Sequence, residues 1–462
     1  MIRKILIANR GEIVSRIMKT CQAMNIETVV VYSDADKEAP YIKEATESYC
    51  IGSPSPLKSY LNINLLIDVL KKSGAEAVHP GYGFLSEKAA FAKAVHNAGA
   101  VWIGPSPAVL ENIESKCYCR QLASQLSLPV TPGTISPIKS IEEIYEVALV
   151  HGVPVMLKLD KGGGGKGIQR IDDLQDAVKL QEALDSLRRI GTMAFASGDV
   201  YLEKIIETAR HIEVQFLADK EQTVVCLGER ECSIQRRYQK IIEESPSLAV
   251  SDTQRQALFA YTRELIQKIN YTGAGTVEYL RDSAGNFYFM EINARLQVEH
   301  PVTEFVTGLD IVEQQIRIAA GEKLALRQED IQFSGHAIEC RIYAEDPVTF
   351  MPSPGLVHTL SFPDTLSNKN LRIDAAVREN SKIPPYYDPL FAKVIGWGPN
   401  RTAAIEHLKK GLSAIVVKGI KTTIPADLAI LEHPKFVSGD IHTGFLPQER
   451  HTTSINTKGE YL

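Results

Sequence analysis

The chain has 462 residues, about three times an ordinary domain, so several folded units are expected. Hydrophobic residues make up 44% and charged residues 23%, which excludes disorder as the main state; 51 basic against 56 acidic side chains give a net charge of -5, too weak a field for general attraction to nucleic-acid backbones or anionic membranes. The seven cysteines are odd in number, Cys117-x-Cys119 lacks the spacing of a zinc or redox pair, and no run is long enough for a signal peptide or membrane span, so a cytoplasmic, reducing setting is expected.

Lys4 to Ala8 is apolar and β-prone, Glu12 to Met24 has helical spacing and Thr28 to Tyr32 is rich in valine, which predicts a strand, helix, strand unit. A helix over about Leu57 to Lys72, with Leu61, Leu65, Leu66, Val69 and Leu70 on one stripe, and a strand at Ala75 to Val78 extend this into an α/β, parallel, doubly wound first domain. Its first turn is Asn-Arg-Gly-Glu rather than G-x-G-x-x-G, so the dinucleotide fingerprint is missing where a nicotinamide enzyme needs it. After about residue 115 the strands shorten and the pattern becomes α+β, with capping-box signals at Ser140-x-x-Glu143 and Ser251-x-x-Gln254. The second opens a helix with Leu258, Leu265, Ile266 and Ile269 on its apolar face, and a further helix is expected near Ile311 to Ala320. From Ser334 onward β-prone segments and Pro384-Pro385-Tyr386-Tyr387-Asp388-Pro389 mark a third unit, followed by a polar, aperiodic tail.

The clearest chemical signal is Lys158-Leu-Asp-Lys-Gly162-Gly-Gly-Gly-Lys166-Gly167, set between two short strands. Consecutive glycines let backbone N–H groups wrap an anion, and three lysines surround them, so the loop is expected to cover phosphate; the alternative is a flexible hinge in a hairpin. It is not a Walker loop, because the G-x-x-x-x-G-K-[ST] order fails.

A hairpin is predicted from Gly275-Thr-Val-Glu278-Tyr-Leu to Phe287-Tyr-Phe-Met-Glu291-Ile-Asn293-Ala-Arg295. With Ala284 and Gly285 as a two-residue loop, Glu278 and Glu291 stand opposite one another, and period two puts Asn293 and Arg295 on the face of Glu291. Opposed glutamates repel unless a cation or a shared proton lies between them, and Glu278, Glu291 and Asn293 form an all-oxygen set suited to Mg²⁺ carrying substrate phosphates; a solvated sheet face is the bland alternative. Downstream, Arg295-Leu-Gln297-Val-Glu299-His300-Pro301 could orient an oxyanion through Arg295 while Glu299 takes a proton, although an Arg295–Glu299 ion pair fits the spacing equally well. On Arg210 to Leu217, alternation sends Ile212, Val214 and Phe216 one way and His211, Glu213 and Gln215 the other.

These segments together resemble the biotin carboxylase family of the ATP-grasp superfamily. The resemblance runs from Ile5-Leu-Ile-Ala-Asn-Arg-Gly-Glu-Ile13 through His79-Pro-Gly-Tyr-Gly-Phe-Leu-Ser-Glu87, the glycine loop, Arg210 to Gln215, Glu229 to Lys240, Glu291 to Thr303 and Pro384 to Lys393, in the family's order to about residue 445. It implies an N-terminal doubly wound domain over 1–114, an ATP-grasp domain over 115–330 with a lid at about 131–203, a C-terminal biotin carboxylase domain over 331–445 and a tail over 446–462.

Carried over residue by residue, the resemblance assigns Lys116 and Lys158 to the ATP phosphates, Gly162, Gly163, Gly164, Gly165 and Gly167 to the lid loop, and Glu203, Lys204 and Ile206 to the adenine hinge. His211, Gln235 and Tyr238 fall in further nucleotide-contact positions, and Glu278, Glu291 and Asn293 match the ligands of Mg²⁺ or Mn²⁺. Lys240, Arg295, Gln297 and Val298 match the bicarbonate site, Glu299 the base, Arg341 the arginine at biotin's ureido oxygen, and Tyr82 a further biotin contact. The implied activity is ATP- and bicarbonate-dependent carboxylation of carrier-bound biotin through carboxyphosphate. No Met-Lys-Met biotinylation motif occurs and no transferase-sized region follows 445, so the carrier and the carboxyltransferase, which chooses the acyl acceptor, are expected as separate chains, with a homodimer as the family's common state.

Three departures stand out: Tyr238 replaces the family's usual histidine, Leu159-Asp160-Lys161 replaces small residues, and Thr423 replaces asparagine. Tyr238 and Leu159 motivate one alternative, a nucleotide-binding regulatory subunit with little turnover; a second alternative is another ATP-grasp ligase acting on a carboxylate other than bicarbonate. Intact Lys240, Arg295, Glu299 and Arg341 weigh against the first, and the biotin-side Arg341 segment, which such a ligase would not need, weighs against the second.

Overall fold

The computed structural model describes residues 2–162, 167–363 and 369–446; Gly163, Gly164 and Gly165 of the glycine loop and the expected tail from 447 lie outside them. The first domain is a five-stranded parallel sheet of β1 (Lys4–Ile7), β2 (Glu27–Tyr32), β3 (Glu47–Cys50), β4 (Ala77–His79) and β5 (Val101–Trp102), in the order β3-β2-β1-β4-β5. That is the expected doubly wound arrangement, and Ile5, Leu6, Ile7 and Val29 to Val31 are fully buried, as strands covered on both faces require. The Asn9 amide donates to the Pro80 and Tyr82 carbonyls at 2.6 and 2.8 Å, so the turn after β1 is tied to the loop carrying Tyr82.

The second predicted helix begins later than expected, at Ile63 rather than Leu57, and runs to Ser73. Pro56 starts only a short 3₁₀ turn, Pro56–Lys58, and Asn62 caps the helix by accepting from the Leu65 N–H at 3.2 Å. The Ser251 capping box is present, but the one at Ser140 is not: Ile141 occupies the N-cap in helical conformation, and the Glu143 carboxylate turns back to the Lys139 N–H at 2.7 Å.

The segment expected to be the lid holds a three-stranded antiparallel sheet of β6 (Val155–Leu159), β7 (Ile168–Ile171) and β8 (Val200–Lys204), in the order β7-β6-β8, under helices Glu142–His151 and Ala177–Phe195. It has its own core, including Ile144, Leu157, Leu184 and Leu202. The glycine loop joins β6 to β7, so the hairpin placement holds.

Eight further strands form one antiparallel sheet: β9 (Arg210–Ala218), β10 (Val224–Arg236), β11 (Gln239–Ser245), β12 (Gly273–Arg281), β13 (Phe287–Asn293), β14 (His336–Tyr343) and strands Leu371–Ala375 and Leu390–Gly398, while Gly355–Leu356 pairs with Lys382–Ile383 and Thr359–Ser361 with Val416–Lys418. β11 pairs with β14, so the sheet continues without a break across the expected boundary near 330. Ile212, Val214 and Phe216 point into the core, as alternation predicts, and burial of each such large side chain contributes about 1.5–3 kcal/mol. Among the described residues no helix is long and apolar enough to cross a membrane.

Candidate active site

Glu278 and Glu291 are direct partners across β12 and β13. The turn between them differs from the expected two-residue loop: Asp282 to Asn286 form a five-residue connection closed by the Asp282 N–H on the Asn286 carbonyl at 3.0 Å. Alone, that turn would set Glu278 opposite Met290. A bulge in β13 between the pairs Tyr279–Phe289 and Glu278–Glu291 takes up the extra residue and restores the pairing.

Each glutamate draws a cation. Glu278 Oε1 lies 2.8 Å from Lys240 Nζ and its Oε2 2.9 Å from His211 Nε2, while Glu291 Oε2 lies 3.1 Å from Lys116 Nζ. Gln235 donates to His211 Nδ1 at 2.7 Å, which directs the other ring nitrogen at Glu278. Burial opposes the charge on Glu278, but Lys240 and His211 outweigh it and hold its pKa well below the usual carboxylate range. Asn293 is buried beside them, its Oδ1 accepting from Arg295 at 3.3 Å. Glu278, Glu291 and Asn293 thus offer oxygen donors in a cleft that already attracts positive charge, and the donor set fits a hard divalent cation.

Lys240 is the centre of the site. Its ammonium reaches Glu213 at 2.6 Å, Glu278 at 2.8 Å and Glu299 at 2.6 Å. Every one of these carboxylates has a second partner: Arg230 on Glu213, the His211 Nε2 on Glu278 and Arg341 on Glu299 at 3.0 Å. Burial lowers the Lys240 pKa, but these anionic neighbours win and raise it well above the ordinary lysine value. Glu299 is fully buried; burial again opposes ionisation, and Lys240, Arg341 and Arg230 overcome it, holding the carboxyl well below its ordinary pKa. Glu299 is the N-cap of helix His300–Thr307 yet makes no side-chain cap bond, which leaves its carboxylate to the cations.

Arg341 also touches Glu243 at 2.5 Å. Glu243 pairs across strands with Glu339, and burial lifts its pKa to about 7 despite Arg341. Tyr82 is half-buried and donates to Glu12; Lys393 lies 3.3 Å from Glu12 and donates to the Val298 carbonyl at 2.7 Å, so the Tyr82 loop meets the Val298 segment through a buried lysine. Thr423 accepts from the Tyr343 N–H at 3.1 Å and thereby braces the strand end beside Arg341.

Arg295 does not pair with Glu299. Its Nε donates to Glu87 at 3.0 Å and its Nη1 to Gln297 at 2.9 Å, because the chain turns into a helix at His300 and carries Glu299 toward Lys240 instead. Gln297 is itself fixed by donating to Thr276 at 2.9 Å. At the lid, Lys158 lies 3.1 Å from Glu203, whose other oxygen accepts from Arg120 at 3.0 Å; the Glu203 side chain is thus occupied within the protein. The backbone N–H of Lys204 bonds Pro132 at 2.7 Å, and Ile206 is half-buried just beyond. Lys116 also donates to the carbonyl of Gly162, the first glycine. Tyr238 stands apart, 55% exposed at the tip of the β10–β11 hairpin with φ +63°.

Sequence reasoning missed Glu87, Arg230, Glu213 as a Lys240 partner, and Glu243. Glu87 closes the His79–Glu87 run, and Glu213 shares the face of His211, so both signals were present; Arg230 and Glu243 lie in strands whose neighbours only the sheet order reveals.

Three family models match the chain: "Biotin carboxylase, N-terminal domain" over residues 1–110, "Carbamoyl-phosphate synthase L chain, ATP binding domain" over 115–327 and "Biotin carboxylase C-terminal domain" over 339–448. Biotin carboxylase 2 of Bacillus subtilis (strain 168) is 48% identical over 448 residues, 97% of this chain and 100% of that protein. The 2-oxoglutarate carboxylase small subunit of Hydrogenobacter thermophilus is 41% identical over 452 residues, 98% of this chain and 94% of that protein. Among solved structures, the biotin carboxylase domain dimer of Hydrogenobacter thermophilus 2-oxoglutarate carboxylase, in complex with MgADP, ADP and bicarbonate, superposes with a TM-score of 0.93 at 41% identity, covering 98% of each chain. Campylobacter jejuni biotin carboxylase in a β,γ-ATP complex also has a TM-score of 0.93, at 39% identity, covering 97% of this chain and 99% of that one. The fold and the family together define an ATP-dependent carboxylating ligase. The chain belongs to the biotin carboxylase family.

Proposed function

We propose that this chain carboxylates biotin on a separate carrier protein, using ATP and bicarbonate, as the carboxylase subunit of an assembly whose carboxyltransferase is another chain, and that it works as a homodimer. The observation that carries the reading is Glu299 held between Lys240 and Arg341, the first cation also bonded to Glu278 of β12 and the second to Glu243 of β11.

In this reading Lys116, Lys158 and the glycine loop hold the ATP phosphates, and the Glu203–Ile206 backbone takes the adenine. His211 and Gln235 complete the nucleotide side, with Tyr238 at the hairpin tip. Glu278, Glu291 and Asn293 would hold Mg²⁺ or Mn²⁺, which neutralises phosphate charge when bound.

Arg295, Gln297, Val298 and Lys240 bind bicarbonate. Glu299 is ionised in the free protein and weakly basic because two cations lean on it. An anion that engages Lys240 and Arg295 draws positive charge away from Glu299, so its basicity rises when the substrate is present. Glu299 then takes the bicarbonate proton, a bicarbonate oxygen bonds to the γ-phosphorus, and the bond to the ADP oxygen breaks, giving carboxyphosphate. Carboxyphosphate splits to CO₂ and phosphate; phosphate takes the ureido proton, the biotin nitrogen bonds CO₂, and Arg341 stabilises the enolate-like oxygen.

The reading is tested by ATP hydrolysis with bicarbonate and free biotin omitted in turn. Turnover should require bicarbonate, and carboxybiotin should require all three. ATP hydrolysis indifferent to bicarbonate would sink it.

A further inference from the structure

Asp160 stands two residues before the first glycine of the loop and is only 4% exposed. Its Oδ1 accepts from the Cys117 N–H at 2.7 Å and from the Ser115 hydroxyl at 3.0 Å, and its carbonyl accepts from the Lys116 N–H at 3.2 Å. Its own N–H donates to the Asp199 carbonyl at 2.9 Å. Ser115 is already the N-cap of helix Lys116–Gln125, accepting from the Tyr118 N–H at 3.1 Å. Asp160 therefore adds a second cap to the same helix start, delivered from the lid, and a carboxylate there is favoured by both the free N–H groups and the helix dipole.

The helix so capped carries Lys116, whose ammonium returns the contact by donating to the Gly162 carbonyl while facing Glu291 at 3.1 Å. One turn later Arg120 grips both roots of the lid. It donates to the Thr134 carbonyl at 3.0 Å, to the Thr131 hydroxyl and carbonyl at 2.7 Å each, and to Glu203 at 3.0 Å. Leu159, immediately before Asp160, points the opposite way into the lid core, where a Cβ on Gly167 or Gly191 would stand 2.3 or 2.6 Å from its methyl carbons. The two neighbouring departures thus divide the work: Leu159 fixes the loop base to the lid, and Asp160 fixes it to the Lys116 helix.

We infer that Asp160 is a positioning residue for the nucleotide: it docks the base of the glycine loop on the helix that presents Lys116, so that loop and lysine are set together before the phosphates arrive. The nucleotide part rests on the ATP reading above; the docking rests on the contacts alone. Two measurements separate them. Trypsin cleavage at Lys161 in the nucleotide-free full-length protein reads the docking, and the ATP KM against kcat reads its use.

Asp160→Ala should speed cleavage at Lys161 several-fold without matching increases at other lysines, and should raise the ATP KM about tenfold with a much smaller change in kcat, as expected when the competent arrangement becomes a minor population. Asp160→Asn retains an oxygen acceptor for Cys117 and Ser115 and should stay within about threefold of the parent in both readouts. Should Asp160→Ala fail to fold, Ser115→Ala removes one of the two bonds from the helix side and should give an intermediate effect. The proposal is overturned if Asp160→Ala leaves Lys161 cleavage unchanged, if cleavage rises while the ATP KM stays put, or if Asp160→Asn is impaired as much as Asp160→Ala. A parent protein that does not turn over ATP, with the cleavage difference intact, would overturn the nucleotide role and the functional reading while leaving the docking.

Discussion

The Lys240 ammonium lies 2.6 Å from one oxygen of Glu299, and Arg341 lies 3.0 Å from the other. Three buried carboxylates share Lys240, and none depends on it alone: Arg230, His211 and Arg341 each support one of them. Such a cluster is costly to bury unless every charge is compensated. The arrangement favours the ionised form of Glu299, and in the proposed function an incoming anion would loosen the hold by competing for the cations.

Lys240→Met should therefore harm stability in a pH-dependent way. In the parent, Glu278 and Glu299 have depressed pKa values, so their stabilisation is present above about pH 4.5 and is lost as pH falls through the lower folded values. Without Lys240 the buried carboxyls prefer the neutral form, and ionising them costs more as pH rises. The loss should reach about 3 to 5 kcal/mol near neutral pH, and the drop in Tm should be larger at pH 8 than at pH 6. Thermal unfolding at the two pH values checks this; an equal drop at both would contradict the shared-cation account.

Glu278→Gln and Glu291→Gln should each raise the Mg²⁺ concentration needed for half-maximal ATP turnover, by about tenfold or more, with partial rescue at high Mg²⁺. The effects should differ in one respect. Glu278→Gln also removes a partner of Lys240 and His211, whereas Glu291→Gln frees Lys116 near the glycine loop. The first should disturb bicarbonate KM as well, and the second ATP KM. Mg²⁺ titrations of both variants decide the metal assignment.

The doubly wound sheet was legible because buried parallel strands are continuous apolar runs, and Ile5 to Ile7 and Val29 to Val31 are such runs. The face of Glu278 and Glu291 was also legible, although by two errors that cancel: a longer turn and a bulge at Met290. Periodicity reports which face a side chain occupies and not what lies across from it. Arg295 went to Glu87, some 200 residues earlier in sequence, rather than to nearby Glu299, and Glu243 reached Arg341 only because β11 pairs with β14. Ser140 shows the local limit: a capping pattern fails when the neighbouring residue, Ile141, already adopts helical φ and ψ.

Tyr238 tests how much one departure matters. Both Arg237 and Tyr238 have positive φ, at +49° and +63°, and Tyr238 is mostly exposed, so Tyr238→His should leave Tm within about 1 °C. The change should appear instead in the ATP KM, by about two- to fivefold, with the bicarbonate KM unaltered. Steady-state kinetics with each substrate varied would show it; a shift confined to bicarbonate would move Tyr238 to the other side of the site.

Glu299 and Arg341 share a contact but should act at different steps. Glu299→Gln keeps size and hydrogen bonding while losing basicity, and it leaves Lys240 still paired with Glu213 and Glu278. Nucleotide binding should persist, while ATP cleavage and carboxybiotin formation fall together by about 10²- to 10⁴-fold, the range for a general base. Arg341→Gln leaves Glu299 on Lys240 but strips the cation from Glu243, which already resists ionisation. Bicarbonate-dependent ATP cleavage should survive in large part without biotin, while carboxybiotin is lost, so hydrolysis becomes uncoupled from carboxylation. Paired assays of ADP release and carboxybiotin, with circular dichroism to confirm folding, separate the two roles. Cleavage lost in Arg341→Gln but kept in Glu299→Gln would reverse the assignment: the proton acceptor would then have to be sought among the other carboxylates around Lys240, with Glu213 and Glu278 the first to test.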